Sequence, residues 1–160
     1  MVKKKSPLFS TNPEKAASKV AINGVMLGSI FVMLAVVFLE LEKFNVVAVI
    51  EMVLSIPLLF VSSLAYSKIG YWKEIKLWDG LGYFTNTLGN LFMINAIGLL
   101  ASVISLMLSF VYFGTTILLL LVYSSINLYY TKSYGPKIFK FLFSLLILFF
   151  GGILPLIIHL

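Results

Sequence analysis

The stretch LGNLFMINAIGLLASVISLMLSFVYFGTTILLLLVYSSINLYY, residues 88–130, carries no charged side chain. As one helix rising 1.5 Å per residue it would be roughly 65 Å long, about twice the hydrocarbon thickness of a bilayer. It must turn back once and supply two spans. Gly114 and its β-branched neighbours interrupt the leucine-rich pattern around Phe113, Gly114 and Thr115, so the reading sets the break there and gives spans 88–111 and 115–130.

Working outward, the connector SKIGYWKEIKLWDGLGYFTNT (67–87) mixes Lys68, Lys73 and Lys76 with Tyr71, Trp72, Trp78 and Tyr83. Aromatic and basic residues in that mixture are expected at the headgroup level. Before it lies an apolar run, 45–66, whose one charge is Glu51, and a polar break with Glu40, Glu42 and Lys43 separates this from the run 20–39. After Tyr130 comes TKSYGPKIFK, with Gly135-Pro136 as a turn signal, and then a fifth run, 139–158. The chain thus reads as an all-α polytopic membrane protein, a bundle of five transmembrane helices. Residues 1–19 form a basic segment and 20–160 a single transmembrane domain. Asn12, Pro13 and Glu14 have the chemistry of a helix start.

Composition requires the same solvent. With 61% hydrophobic and 11% charged residues, too few polar side chains remain to cover a water-exposed globule. Lysine placement sets the expected orientation. Lys3, Lys4, Lys5, Lys15, Lys19, Lys68, Lys73, Lys76, Lys132, Lys137 and Lys140 fall on one side of a five-span chain and only Lys43 on the other. By the positive-inside rule the N-terminus is cytoplasmic and the C-terminus outside, in the cell membrane. The first span is expected to serve as a retained signal-anchor, since a long polar segment precedes it and no small-residue cleavage pattern follows.

Several function classes are poorly supported. The net charge of +6 comes from lysines in short connectors, with no arginine, which does not resemble a nucleic-acid-binding face. There is no Cys and the one His is His159, so thiolate or histidine metal sites and His-based catalysis lack their residues. No cofactor or metal is expected. Nothing forms a Ser-His-Asp, Ser-Lys or paired-carboxylate constellation, and Asp79 and Glu74 sit beside lysines and Trp78, where an interfacial ion pair is the ordinary reading. The chain leans away from an enzyme.

Helices in lipid associate through small and polar residues recurring on one face. In the first span Ala17, Ala21, Gly24, Gly28 and Ala35 share an arc, and Gly24 and Gly28 form a GxxxG pair, expected to pack closely on another helix. In the third span Asn95, Gly98, Ser102, Ser105 and Ser109 step by three or four, as a packing seam or the lining of a pore. Thr116, Tyr123, Asn127 and Tyr130, and then Ser144, Gly151, Pro155 and His159, mark inward faces of the last two spans. Gly151, Gly152 and Pro155 also predict a kink.

Glu51 lies about 9 Å along its helix from Asn45, below the interface, and shares a face with Ala48, Ser55, Ser62 and Ala65. An acid at that depth points into the bundle, bonded or neutral, because a lipid-facing charge costs on the order of 2 to 3 kcal/mol at the helix centre. It is either a tie to a neighbouring helix or, with Ser55 and Ser62, an ion or proton site. The leading expectation is a non-catalytic membrane protein acting by helix association, as an accessory subunit, scaffold or assembly partner. The alternative is a small cation or proton channel or transporter using Glu51, and a lipid-modifying enzyme comes third. Expected partners are the bilayer, anionic headgroups through Lys3, Lys4 and Lys5, and other membrane subunits or a second copy.

Overall fold

The computed structural model describes residues 13–69, 75–130 and 134–158. Expectations resting on Lys3, Lys4, Lys5, Tyr71, Trp72, Lys73, Glu74, Lys132 and His159 lie outside the described residues.

The chain is all-helical, and five of its helices are long and apolar enough to cross a membrane. Helix α1 (Pro13–Leu39) leads through one tight turn, Leu41–Lys43, into α2 (Val46–Lys68). Asn45 opens α2: its side-chain oxygen accepts the Val47 backbone N–H at 2.9 Å, satisfying a donor that the first helical turn leaves free. Then come α3 (Ile75–Ile104), α4 (Leu106–Tyr129) and α5 (Gly135–Leu148). The last continues through a widened π turn, Phe149–Ile153, into α6 (Leu154–Ile158). The described lysines Lys15, Lys19, Lys68, Lys76, Lys137 and Lys140 share one end of the bundle and Lys43 lies at the other.

Two boundaries differ from the sequence reading. The chain turns at Ser105, whose extended backbone (φ −162°, ψ 132°) separates α3 from α4, and Gly114 lies inside α4 on its exposed face. Glycine weakens a helix by exposing backbone to water, a penalty that fades where water is absent and intrahelical bonding is obligatory. Serine, a favoured helix-start residue, ends α3 instead. The second difference is residues 75–87, which are the first turns of α3 and not a connector between helices.

The core is built on a three-four residue spacing. On α2, Ala48, Met52, Ser55, Leu59, Ser62 and Tyr66 are all buried, as is Ile69 just past its end. On α3 the matching positions are Asp79, Gly82, Gly89, Met93 and Ala96, and on α1 they are Ala16, Asn23, Ile30, Leu34 and Val37. This is the periodicity that keeps one seam facing its partner in left-handed helix packing. Antiparallel α2 and α3 form the central pair, α1 lies on α2, and α4 and α5 lie on α3. A Cβ on Gly89 would come within 2.9 Å of the Leu59 side chain, and one on Gly82 within 3.0 Å of the Tyr66 ring. The small residues that let two backbones approach are therefore on α3. Around them Ile30, Leu34, Val37, Met52, Leu59, Met93 and Ala96 make one apolar cluster, and Ala48, Leu99, Phe113 and Leu156 make another near the α3–α4 turn.

Candidate functional site

Glu51 projects from α2 into the bundle with 5% of its surface exposed, between the buried Ala48 and Ser55 of its own helix. Facing it on α3 is Asn95, fully buried, whose amide nitrogen donates to Glu51 Oε1 at 3.0 Å and to the Ile147 carbonyl of α5 at 3.1 Å. One amide group thus joins three helices. Its partner segment has the shape this requires. Proline at 155 cannot donate to the carbonyl four residues back, and the glycine pair before it lets the helix widen. The Leu154 N–H accordingly reaches the Phe149 carbonyl.

The two glycines also admit the polar pair. A Cβ on Gly151 would collide with Glu51 Oε1 and Asn95 Nδ2, and one on Gly152 would collide with the Phe113 ring and come within 2.9 Å of Asn95 Oδ1. The kink expected at these residues is realised as the π turn. Glu51 Oε2 and Asn95 Oδ1, both buried, accept no hydrogen bond. Ser55 donates to its own helix at the Met52 carbonyl (2.6 Å).

Further along the α2–α3 seam Ser62 stands in a second polar knot. Asn23 of α1 donates to Ser62 Oγ at 3.1 Å, and the one hydroxyl hydrogen of Ser62 is shared between the Gly82 carbonyl at 3.1 Å and Asn86 Oδ1 at 3.4 Å. The Asn23 and Asn90 side-chain oxygens are buried without a donor.

Closer to the lysine-rich end lies a charged cluster that the sequence reading assigned to the membrane surface. Asp79 is only 1% exposed and interacts electrostatically with Lys19 of α1 and Lys140 of α5. Lys19 donates to the Tyr66 hydroxyl at 2.8 Å, and the Lys140 ammonium sits 3.9 Å from the centre of the Tyr83 ring. Lysines from two helices, each lying along an aromatic ring, thus meet an acid on a third. The signal available beforehand was spacing: Asp79 is seven residues before Asn86, on the heptad face that carries Gly82 and Gly89.

The supposed third-span stripe is divided by the turn. Asn95 and Gly98 are buried on α3, Ser102 bonds its own Leu99 carbonyl, Ser105 is the exposed turn, and Ser109 belongs to α4. Ser109 reaches back to the Gly98 carbonyl. Gly24 and Gly28 lie on the exposed side of α1, with nothing within 4 Å of where a Cβ would stand. Ala17, Ala21 and Ala35 are exposed beside them. Tyr123 and Tyr130 of the fourth span also face outward.

The fold and its buried polar pairs define a class: an all-helical bundle with five helices suited to a membrane. No family model, curated protein or solved structure matches the chain.

Proposed function

We propose that the protein acts by association within the membrane, as an accessory subunit, scaffold or assembly partner, through the outward face of α1. The observation that carries this reading is the exposure of Ala17, Ala21, Gly24, Gly28 and Ala35 together, with open space over both glycines. Small residues in register admit close backbone approach, the main source of helix affinity in lipid. Asn23, Ser62, Asn95 and Ser109 are used in ties within the chain, whereas the small residues of the α1 face are not. A cytoplasmic N-terminus in the cell membrane, with Lys3, Lys4 and Lys5 on anionic headgroups, belongs to the same proposal and is supported by the clustered lysines. Cysteine at Ala21 in this Cys-free chain tests it. Oxidation in native membranes should give a cross-linked dimer or a cross-link to another membrane subunit, and a chain that stays monomeric at every stripe position removes the reading.

A second reading is passage of a proton or small cation. It is favoured by Glu51 and Asp79, both buried on the α2–α3 seam, with Ser55, Ser62 and Asn86 between them and about 24 Å of α3 separating Asp79 from Asn95. Under it, liposomes holding the purified chain leak protons or sodium and Glu51→Gln abolishes the leak while folding persists.

A further inference from the structure

The Glu51–Asn95 pair is under-bonded in one direction only. Both amide hydrogens of Asn95 are taken, by Glu51 Oε1 and the Ile147 carbonyl, and the two atoms left over, Glu51 Oε2 and Asn95 Oδ1, are oxygens that can only accept while the acid is ionised. Turning the Asn95 amide over does not cure this, because it would set the amide oxygen against a carboxylate and a carbonyl, three acceptors without a donor. Both side chains are more than nine-tenths buried. A buried polar oxygen without a partner is costly, and a carboxylate more so.

We propose that Glu51 and Asn95 form a binding site for a small monovalent cation of the alkali class. A single carboxylate supplies one negative charge. Among the described residues no three His, Cys, Asp or Glu side chains converge, so a divalent ion there would leave net charge in apolar surroundings. Carboxylate and amide oxygens are hard donors, which favour an alkali ion over a transition metal. The Gly151–Gly152 pair makes the approach possible: it brings the π turn against the polar pair where any side chain would displace it. Widened turns of this kind recur at functional sites in helices. The site depends on neither reading above, since occupancy requires neither assembly nor passage.

The test uses the full chain in nanodiscs of uncharged lipid, with sodium chloride exchanged for choline chloride at constant ionic strength. The unfolding midpoint of the unaltered protein should rise with sodium and saturate. At about a hundred times the dissociation constant the rise should be on the order of 5 °C. Glu51→Gln should abolish the sodium response, and if that variant does not fold, Asn95→Leu carries the same expectation. A midpoint indifferent to sodium overturns the proposal, as does a variant that responds like the unaltered chain. Repeating the series at acidic and alkaline pH separates the competing occupant. A midpoint that follows pH but never sodium identifies a proton on Glu51, and the cation site is then wrong.

Discussion

Ser109 of α4 donates its hydroxyl to the Gly98 carbonyl of α3 at 2.6 Å, across the turn at Ser105. Ser109 is fully buried, and Gly98 leaves room for the Phe113 ring, with which a Cβ would collide. This hydrogen bond and this ring-on-backbone contact both tie α3 to α4. Ser109→Ala should cost about 1 kcal/mol, the usual range for such bonds between helices in a membrane. Gly98→Ala should cost more, about 1 to 3 kcal/mol, because Phe113 must leave its place. Thermal unfolding in detergent compares the two, and equal midpoints would mean that the ring does not need that space.

Five spans put the chain ends on opposite sides of a membrane. With Val2→Cys and Leu160→Cys made one at a time, a membrane-impermeant thiol reagent should label only one of them in sealed right-side-out vesicles. Under the orientation proposed it labels position 160. Labelling of both from the same side contradicts an odd number of crossings.

Gly28 has open space around it within one chain. Gly28→Leu should therefore leave the unfolding free energy of the isolated protein within about 0.5 kcal/mol of the original, as for surface changes generally, and reduce cross-linking through the α1 face. If stability falls and association does not, α1 packs differently from the arrangement described.

At the Glu51 site the glycine matters more than the charge. Glu51→Gln keeps the shape and an acceptor for the Asn95 amide, and should be tolerated for folding. Gly151→Ala should destabilise by about 1 to 3 kcal/mol, since the added methyl meets both polar side chains and the π turn must move away. Unfolding midpoints of the two variants, measured without added sodium, should rank in that order.

Asp79 is the buried acid facing lysines on α1 and α5. Asp79→Asn weakens the attraction that Lys19 and Lys140 feel from the buried side chain, and because both lysines are only half buried the cost should stay below that of a fully buried pair, about 3 to 5 kcal/mol. Asp79→Asn should destabilise the bundle, and Asp79→Asn combined with Lys19→Met should recover part of the loss. A double variant no better than the single one would show that Lys19 is not held by Asp79.

Sequence alone determined the all-helical class and the five helices long and apolar enough to cross a membrane, because hydrocarbon thickness and backbone hydrogen bonding leave few solutions for uncharged runs of this length. It also determined that Glu51 faces inward, since Ala48, Ser55, Ser62 and Ala65 repeat at helical spacing and all are buried with it. Which side of α1 meets its neighbour was a different matter. In an apolar helix both a stripe of small residues and a stripe of Ile30, Leu34 and Val37 satisfy lipid, and only the contact with Met52 and Leu59 selects the second. The same holds for the turn at Ser105, where local propensity favoured Gly114, and for Asp79, an ordinary surface acid until α1 and α5 close over it. These outcomes were decided by contacts between residues far apart in the chain, and periodicity within one helix carries no information about the helix opposite.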